Sequence, residues 1–164
     1  MFSLKKVRDQ KGFTIVELLI VIVVIGILAA LVITTYGGIQ GKARDSERQS
    51  DLQALQTQIE AFYANNNYYP TLSDLNSSTW RNGDGTTANP ANMKNLDEAA
   101  LQDPSETSSA VAAGPLSGTA ASDTNKNVYG YVASPDGCTD QSCTGYTLTA
   151  YLESGKVYTK HALD

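Results

Sequence analysis

The sequence predicts an α+β chain in which one long N-terminal helix, hydrophobic in its first half and amphipathic in its second, packs on a small antiparallel sheet. Three observations carry this. Leu18 to Ile33 are without exception apolar or glycine, Leu52, Leu55, Ile59 and Phe62 recur at spacings of three and four, and the alternating runs suited to strands begin only at Val128. At 164 residues there is room for one ordinary domain and an appendage.

Residues 1–12 form a basic leader, in which Lys5, Lys6, Arg8 and Lys11 stand against Asp9 alone. These four cations and one anion leave −8 for the rest of a chain whose net charge is −5. The positive-inside rule therefore puts the short N-terminus in the cytoplasm and the remainder outside. A body this acidic is not expected to attract nucleic acid through its overall field.

Residues 13–36 make a membrane-spanning segment. From Phe13 to Ile33 there are 21 residues with a single charge, Glu17. As a helix they would run roughly 31 Å, the thickness of a bilayer core. A carboxylate in hydrocarbon costs a few kcal/mol, so Glu17 is assigned a functional partner; the alternative is that it lies near the cytoplasmic interface and reaches water. An ordinary secretory signal and an uncleaved anchor are the alternatives for the segment as a whole. The 16-residue apolar run exceeds the usual signal core, and no A-x-A-like site follows it.

Residues 37–66 continue as the amphipathic half. Gly37, Gly38 and Gly41 each cost about 1 kcal/mol relative to alanine, which predicts a weak stretch of helix there. From Lys42 the pattern has one apolar face, and Arg44, Asp45, Glu47, Arg48, Gln49, Asp51, Gln56 and Glu60 are assigned to the others. Asn65, Asn66, Asn67 and then Pro70 end the helix. A helix from Phe13 to Asn66 would extend roughly 81 Å, far more than a small core can cover. Its first half suits lipid or copies of itself, and its second half suits the face of a sheet.

Residues 67–164 form a small extracellular globular part. Up to residue 127 this part is rich in Ser, Thr, Asn, Asp, Gly and Ala, with Pro90, Pro104 and Pro115, and is predicted to be mostly loop with a short helix around Asn95 to Leu101. Val128 to Val132 and Tyr146 to Leu152 are predicted strands, the second placing Tyr146, Leu148, Ala150 and Leu152 on one face. Glu153-Ser154-Gly155 then turns the chain into Lys156 to Lys160, giving a sheet of three or four strands.

Cys138 and Cys143 fall in the part assigned outside the membrane, where an oxidising compartment favours their pairing. Such a short loop should contribute roughly 2 kcal/mol. These two cysteines and His161 are too few for a four-ligand zinc site, and no metal or cofactor is expected. Asp123-Thr124-Asn125-Lys126-Asn127 sets oxygen ligands at alternate positions, as calcium loops do. Val128 stands in the place of the loop glycine and no glutamate follows at the twelfth position, so a solvated turn is expected. His161 is solitary, and neither G-x-S-x-G nor a P-loop is present, so no catalysis is expected. Trp80 and the nine tyrosines suit a small core and an adhesive surface equally.

The segment Lys11-Gly12-Phe13-Thr14-Ile15-Val16-Glu17, running straight into the apolar block, resembles the processing site of type IV prepilins and pseudopilins. The likeness continues through Gly26-Ile27-Leu28-Ala29-Ala30 to Tyr36, about 24 residues in all. It implies a prepilin peptidase, an aspartyl enzyme of the membrane, cutting between Gly12 and Phe13, and N-methylation of the new Phe13 amine. It also implies that Glu17 pairs with the Phe13 amine of a neighbouring subunit during assembly. The family often has a proline where this chain has Thr34, so a fixed kink is not implied; Gly37, Gly38 and Gly41 supply flexibility instead, or let the backbone pack closely. Many pilins carry a late disulfide-bounded loop, matched here by Cys138 and Cys143, although this one is short.

The function implied is that of a structural subunit of a type IV pilus filament. The precursor would sit in the cytoplasmic (inner) membrane, in contact with lipid and the pilus assembly platform. The mature subunit would join copies of itself in an extracellular homopolymer. The alternatives are a pseudopilin of a type II secretion or DNA-uptake system and a monomeric membrane-tethered binding module.

Overall fold

The structure is a computed structural model and describes residues 12–86, 90–106 and 115–163. All of the basic leader except Gly12 lies outside the described residues. The chain divides between Gln40 and Gly41 into two compact units.

The first unit is helical. Helix α1 spans Ile15–Asn66, and its part up to Gln40 belongs here. From Phe13 to Ile33 every side chain is exposed, Leu18 at 60% and Leu31 at 62%. By length and composition this helix is able to cross a membrane. The weak stretch expected at Gly37 and Gly38 is continuous helix. A Cβ at either glycine would meet nothing within 4 Å among the described residues, so packing against them requires neither.

The second unit is built around residues 41–66 of α1. Leu52, Leu55, Ile59 and Phe62 are all buried, as their spacing requires of a stripe facing one core. The helix ends on Asn67, whose left-handed φ of 62° lets its N–H return to the Tyr63 carbonyl at 2.7 Å. Short helices α2 (Leu72–Asn76) and α3 (Ser78–Asn82) follow where loop was expected. Each is started by a cap: Thr71 and Asp74 exchange side-chain and backbone hydrogen bonds at the head of α2, and the Ser77 hydroxyl accepts from Trp80 N at the head of α3. The helix expected around Asn95 is a 3-10 turn at Glu98–Leu101.

Four strands form one sheet in the order β1 (Leu116–Ser117), β2 (Tyr129–Ser134), β3 (Gly145–Tyr151) and β4 (Val157–His161). Pairs β2–β3 and β3–β4 are antiparallel, with Glu153 to Gly155 in the turn of the second hairpin. The sheet is nevertheless mixed rather than antiparallel, because β1 runs parallel to β2. The residues between Ser117 and Tyr129 are enough for a return crossover, and a tight hairpin would have reversed the direction. Asn76 holds β1 in place, accepting from Leu116 N and donating to Leu116 O, both at 2.9 Å.

Tyr146, Leu148 and Ala150 of β3 face the helix as expected, while Leu152 lies beyond the end of the strand. Tyr129, Tyr131 and Tyr146 bury their rings and give their hydroxyls to acceptors at the core edge: Asp51 at 2.7 Å, the Pro70 carbonyl at 2.6 Å and Glu60 at 2.7 Å. Burial first, and then the carboxylates nearby, pushes all three phenols up beyond the usual tyrosine range. Gly130 is required by a close approach. A Cβ there would stand 2.4 Å from both the Thr119 carbonyl oxygen and Thr149 Oγ1.

Two residues assigned to solvent faces of α1 are buried instead, Arg48 at 2% exposure and Gln56 at 5%. Gln56 donates to the His161 carbonyl at 2.7 Å, on the outer edge of β4. Arg48 lies four residues before Leu52 and so continues the core stripe. Its charge is answered by Asp103, a residue distant in sequence, which is why it can lie inside.

Candidate functional site

Gly12, Phe13 and Thr14 precede α1 in non-helical conformation and are exposed. The Gly12–Phe13 peptide bond is therefore free of helical hydrogen bonding. Thr14 caps the helix: Glu17 N donates to its Oγ1 at 3.2 Å, while Thr14 N and Oγ1 donate to Glu17 Oε2 at 2.9 and 2.7 Å. This reciprocal T-x-x-E arrangement satisfies two backbone donors that a helix start leaves open. It also sets an anion at the positive end of the helix dipole. The threonine's part was legible in the spacing of Thr14 and Glu17 but was not recognised from the sequence. Glu17 Oε1 makes no hydrogen bond among the described residues.

Elsewhere the expected chemistry is spread through the second unit. Cys138 and Cys143 are joined by a disulfide with a Cα–Cα distance of 5.2 Å. Cys143 is buried, and its carbonyl accepts from Tyr69 N at 2.9 Å, which fastens the loop to the segment that follows α1. Asp123–Asn125 is a 3-10 turn, with Lys126 Nζ 3.9 Å from Asp123 Oδ1. Among the described residues no three His, Cys, Asp or Glu side chains are grouped to hold a metal ion. His161 is exposed on β4, 3.3 Å from Thr147 Oγ1.

A membrane-length apolar helix opened by a capped acidic turn, together with an amphipathic continuation covered by a small sheet, is a pilin-like α+β fold. The comparisons agree. Residues 7–33 match the family described as the prokaryotic N-terminal methylation motif. The type II secretion system core protein G of Dickeya chrysanthemi is 41% identical over 64 residues, which is 39% of this chain and 42% of that protein. Its counterpart in Aeromonas hydrophila is 42% identical over 64 residues, 39% of this chain and 45% of that protein. The type IV major pilin protein PilA of Myxococcus xanthus (strain DK1622) is 39% identical over 65 residues, 40% of this chain and 30% of that protein. The chain thus spans less than half the length of these curated relatives. No solved structure gives a significant match. The chain is thus similar, over 64 to 65 residues, to core protein G of type II secretion systems and to a type IV major pilin, and its residues 7–33 carry the N-terminal methylation motif.

Proposed function

We propose that this chain is the precursor of a structural subunit of a type IV pilus filament, trimmed between Gly12 and Phe13, N-methylated on Phe13 and polymerised through residues 13–33. The observation that carries this reading is the exposed apolar helix headed by the Thr14–Glu17 cap and overlapped by the methylation motif. The apolar surface then passes from lipid in the membrane precursor to the same surface of other copies in the filament. Glu17 Oε1 accepts the charged amine of Phe13 from the next subunit. In a surrounding that excludes water, such a pair favours the register that neutralises both charges. The prepilin peptidase and a membrane assembly platform are the partners this requires.

A second reading, a pseudopilin of a type II secretion system, is supported by the relatives named core protein G. The late disulfide supports the pilus reading through its resemblance to the bounded loop of pilins. Abundant surface filaments on cells would favour the pilus, and loss of protein secretion in a deletion strain would favour the pseudopilin.

Processing and assembly are tested together. The intact mass of the mature protein should correspond to residues 13–164 with one methyl group. Glu17→Ala should leave the protein in the membrane and cleaved, with few or no filaments. Glu17→Gln separates the two roles of the side chain, because glutamine still closes a capping box but carries no charge. It should fail to assemble as alanine does. Filaments of normal number and length from Glu17→Gln would make the helix cap, and not the charge pair, the role of this residue.

A further inference from the structure

The second unit contains a cavity of about 370 Å³ that assembly through residues 13–33 does not use. It opens between the Ser105 loop, the 3-10 turn with Lys126 and Asn127 after it, and the turn that joins β3 to β4. Its volume lies toward the lower end of the range for small-molecule sites, roughly 300–1,000 Å³.

The lining decides what chemistry fits. At the floor Arg48 gives its guanidinium hydrogens to Asp103, Asp45, Ser105 and Glu153, so it keeps no spare donor for an anion. Glu153 is held by Arg44 at 2.8 Å, and Lys126 faces Asp123 at 3.9 Å, beyond hydrogen-bond reach. Formal charges around the cavity cancel, which favours neither a phosphate nor a divalent cation. What remains for a ligand is an alternation of groups: the Lys126 ammonium donates, the Asp123 carboxylate accepts, and the Asn127 amide with the Ser105 and Tyr151 hydroxyls does both.

A ligand dense in hydroxyl groups, each of which donates and accepts, makes use of such an alternation. The cavity also offers an apolar side in the Tyr151 ring and Leu152. Next to these is Gly155, with φ +77°, where an added Cβ would stand 3.7 Å from Tyr151 Oη. A side chain there would lie in ordinary van der Waals contact with that hydroxyl. We propose that this cavity binds a neutral saccharide of one or two rings, its hydroxyl edge toward Lys126 and Asn127 and its C–H face on Tyr151.

Saturation-transfer NMR on the full-length chain in lipid nanodiscs tests this independently of filament formation. The probes are the methyl glycosides of glucose, galactose, mannose and N-acetylglucosamine, together with maltose, lactose and cellobiose. The expected result is saturable transfer to at least one of them, weakened five-fold or more by Asn127→Ala and by Lys126→Ala. Both side chains are exposed, so the fold should be unchanged, as thermal unfolding checks. Tyr151→Phe should reduce binding while keeping transfer to the sugar's C–H face. Transfer to none of the sugars, or transfer that survives Lys126→Ala/Asn127→Ala together, overturns the proposal. So does a site, lost in those variants, that takes up inorganic phosphate or calcium in preference to every sugar.

Discussion

Replacing Arg48 should be among the most damaging single changes in the second unit. Its Nε and Nη2 meet Asp103 Oδ2 and Oδ1 at 2.7 and 3.0 Å, a bidentate pair with 3% and 0% of the two side chains exposed. Nη1 reaches Asp45 at 2.9 Å and Nη2 reaches Ser105 Oγ at 2.7 Å. Asp45 in turn accepts from Glu153 N at 2.9 Å, so one guanidinium fastens both the residue 103–105 loop and the β3–β4 turn to the helix. Burial disfavours the Arg48 charge, but the hydrogen bonds and field of Asp103, with Asp45 and Glu153, outweigh it and raise the guanidinium above its ordinary value. Arg48→Met would leave the Asp103 carboxylate inside with, among the described residues, only Ser105 N to solvate it. Breaking a buried pair in this way costs about 3–5 kcal/mol. That is a large share of the roughly 5–15 kcal/mol that stabilises a domain. Arg48→Met/Asp103→Leu removes both charges and should recover most of the loss, since buried pairs replaced by apolar residues are often neutral in stability. Urea unfolding of the full chain in mild detergent measures this through Trp80, whose ring lies 5.1 Å from Phe62 in the core. A loss below about 1 kcal/mol for the single variant, or a double variant no better than the single, would refute the assignment of Arg48 as a charge-paired anchor.

Alkaline stability follows from the three buried tyrosines. Tyr129, Tyr131 and Tyr146 stay protonated in the fold above the pH at which an unfolded chain releases them, so their contribution is full below about pH 10 and is lost as pH rises from there. Each should cost about 1.4 kcal/mol per pH unit, about 4 kcal/mol together. Urea midpoints that stay flat between pH 9.5 and pH 11.5, on the order of the window this linkage sets, would contradict it. Gly130→Ala should destabilise the sheet by about 2 kcal/mol or more, because the clash is with the Thr119 backbone as well as with Thr149. A thermal midpoint unchanged from the wild type would show that the segment after β1 yields freely.

What was legible in the sequence was whatever depends on residue type at a fixed period. The stripe from Leu52 to Phe62 and the alternation in β3 each report a buried face directly. The Gly12 to Glu17 junction was legible through its resemblance, and the T-x-x-E cap within it could have been read from spacing alone. Arg48 was missed because a charged residue on an apolar stripe is ordinarily moved to solvent, and what overrides this is a carboxylate brought by the fold from residue 103. Strand β1 was invisible for another reason. Two residues carry no alternation, and their pairing depends on Asn76 and on a crossover that no local pattern encodes. Helices α2 and α3 are each five residues long, too short for a 3.6-residue period, and only their caps announce them.

The exposed half of α1 poses a question of selectivity that apolar area alone does not answer. The side chains from Leu18 to Ile33 are exposed, and an apolar surface this large does not persist in water. Lipid would cover it fully under the proposed function. Once in lipid, however, the helix gains no hydrophobic energy by exchanging acyl chains for another apolar helix, so association must draw on close packing and polar contacts. Close packing is available where side chains are small, at Gly26, Ala29 and Ala30, and a Cβ on Gly26 would meet nothing within 4 Å among the described residues. The polar contact is available at one place, the turn where Glu17 Oε2 is engaged by Thr14 and Oε1 is not. Because the cap uses only one carboxylate oxygen, a charged donor from another copy can be accepted without opening the helix start. The cap would, under the proposed function, keep the carboxylate fixed and partly solvated in the membrane and leave it able to bind on assembly. Under the proposed function, the energy that separates a filament from independent helices in lipid is concentrated at this turn and at the small residues, and apolar area sets only where the helix resides.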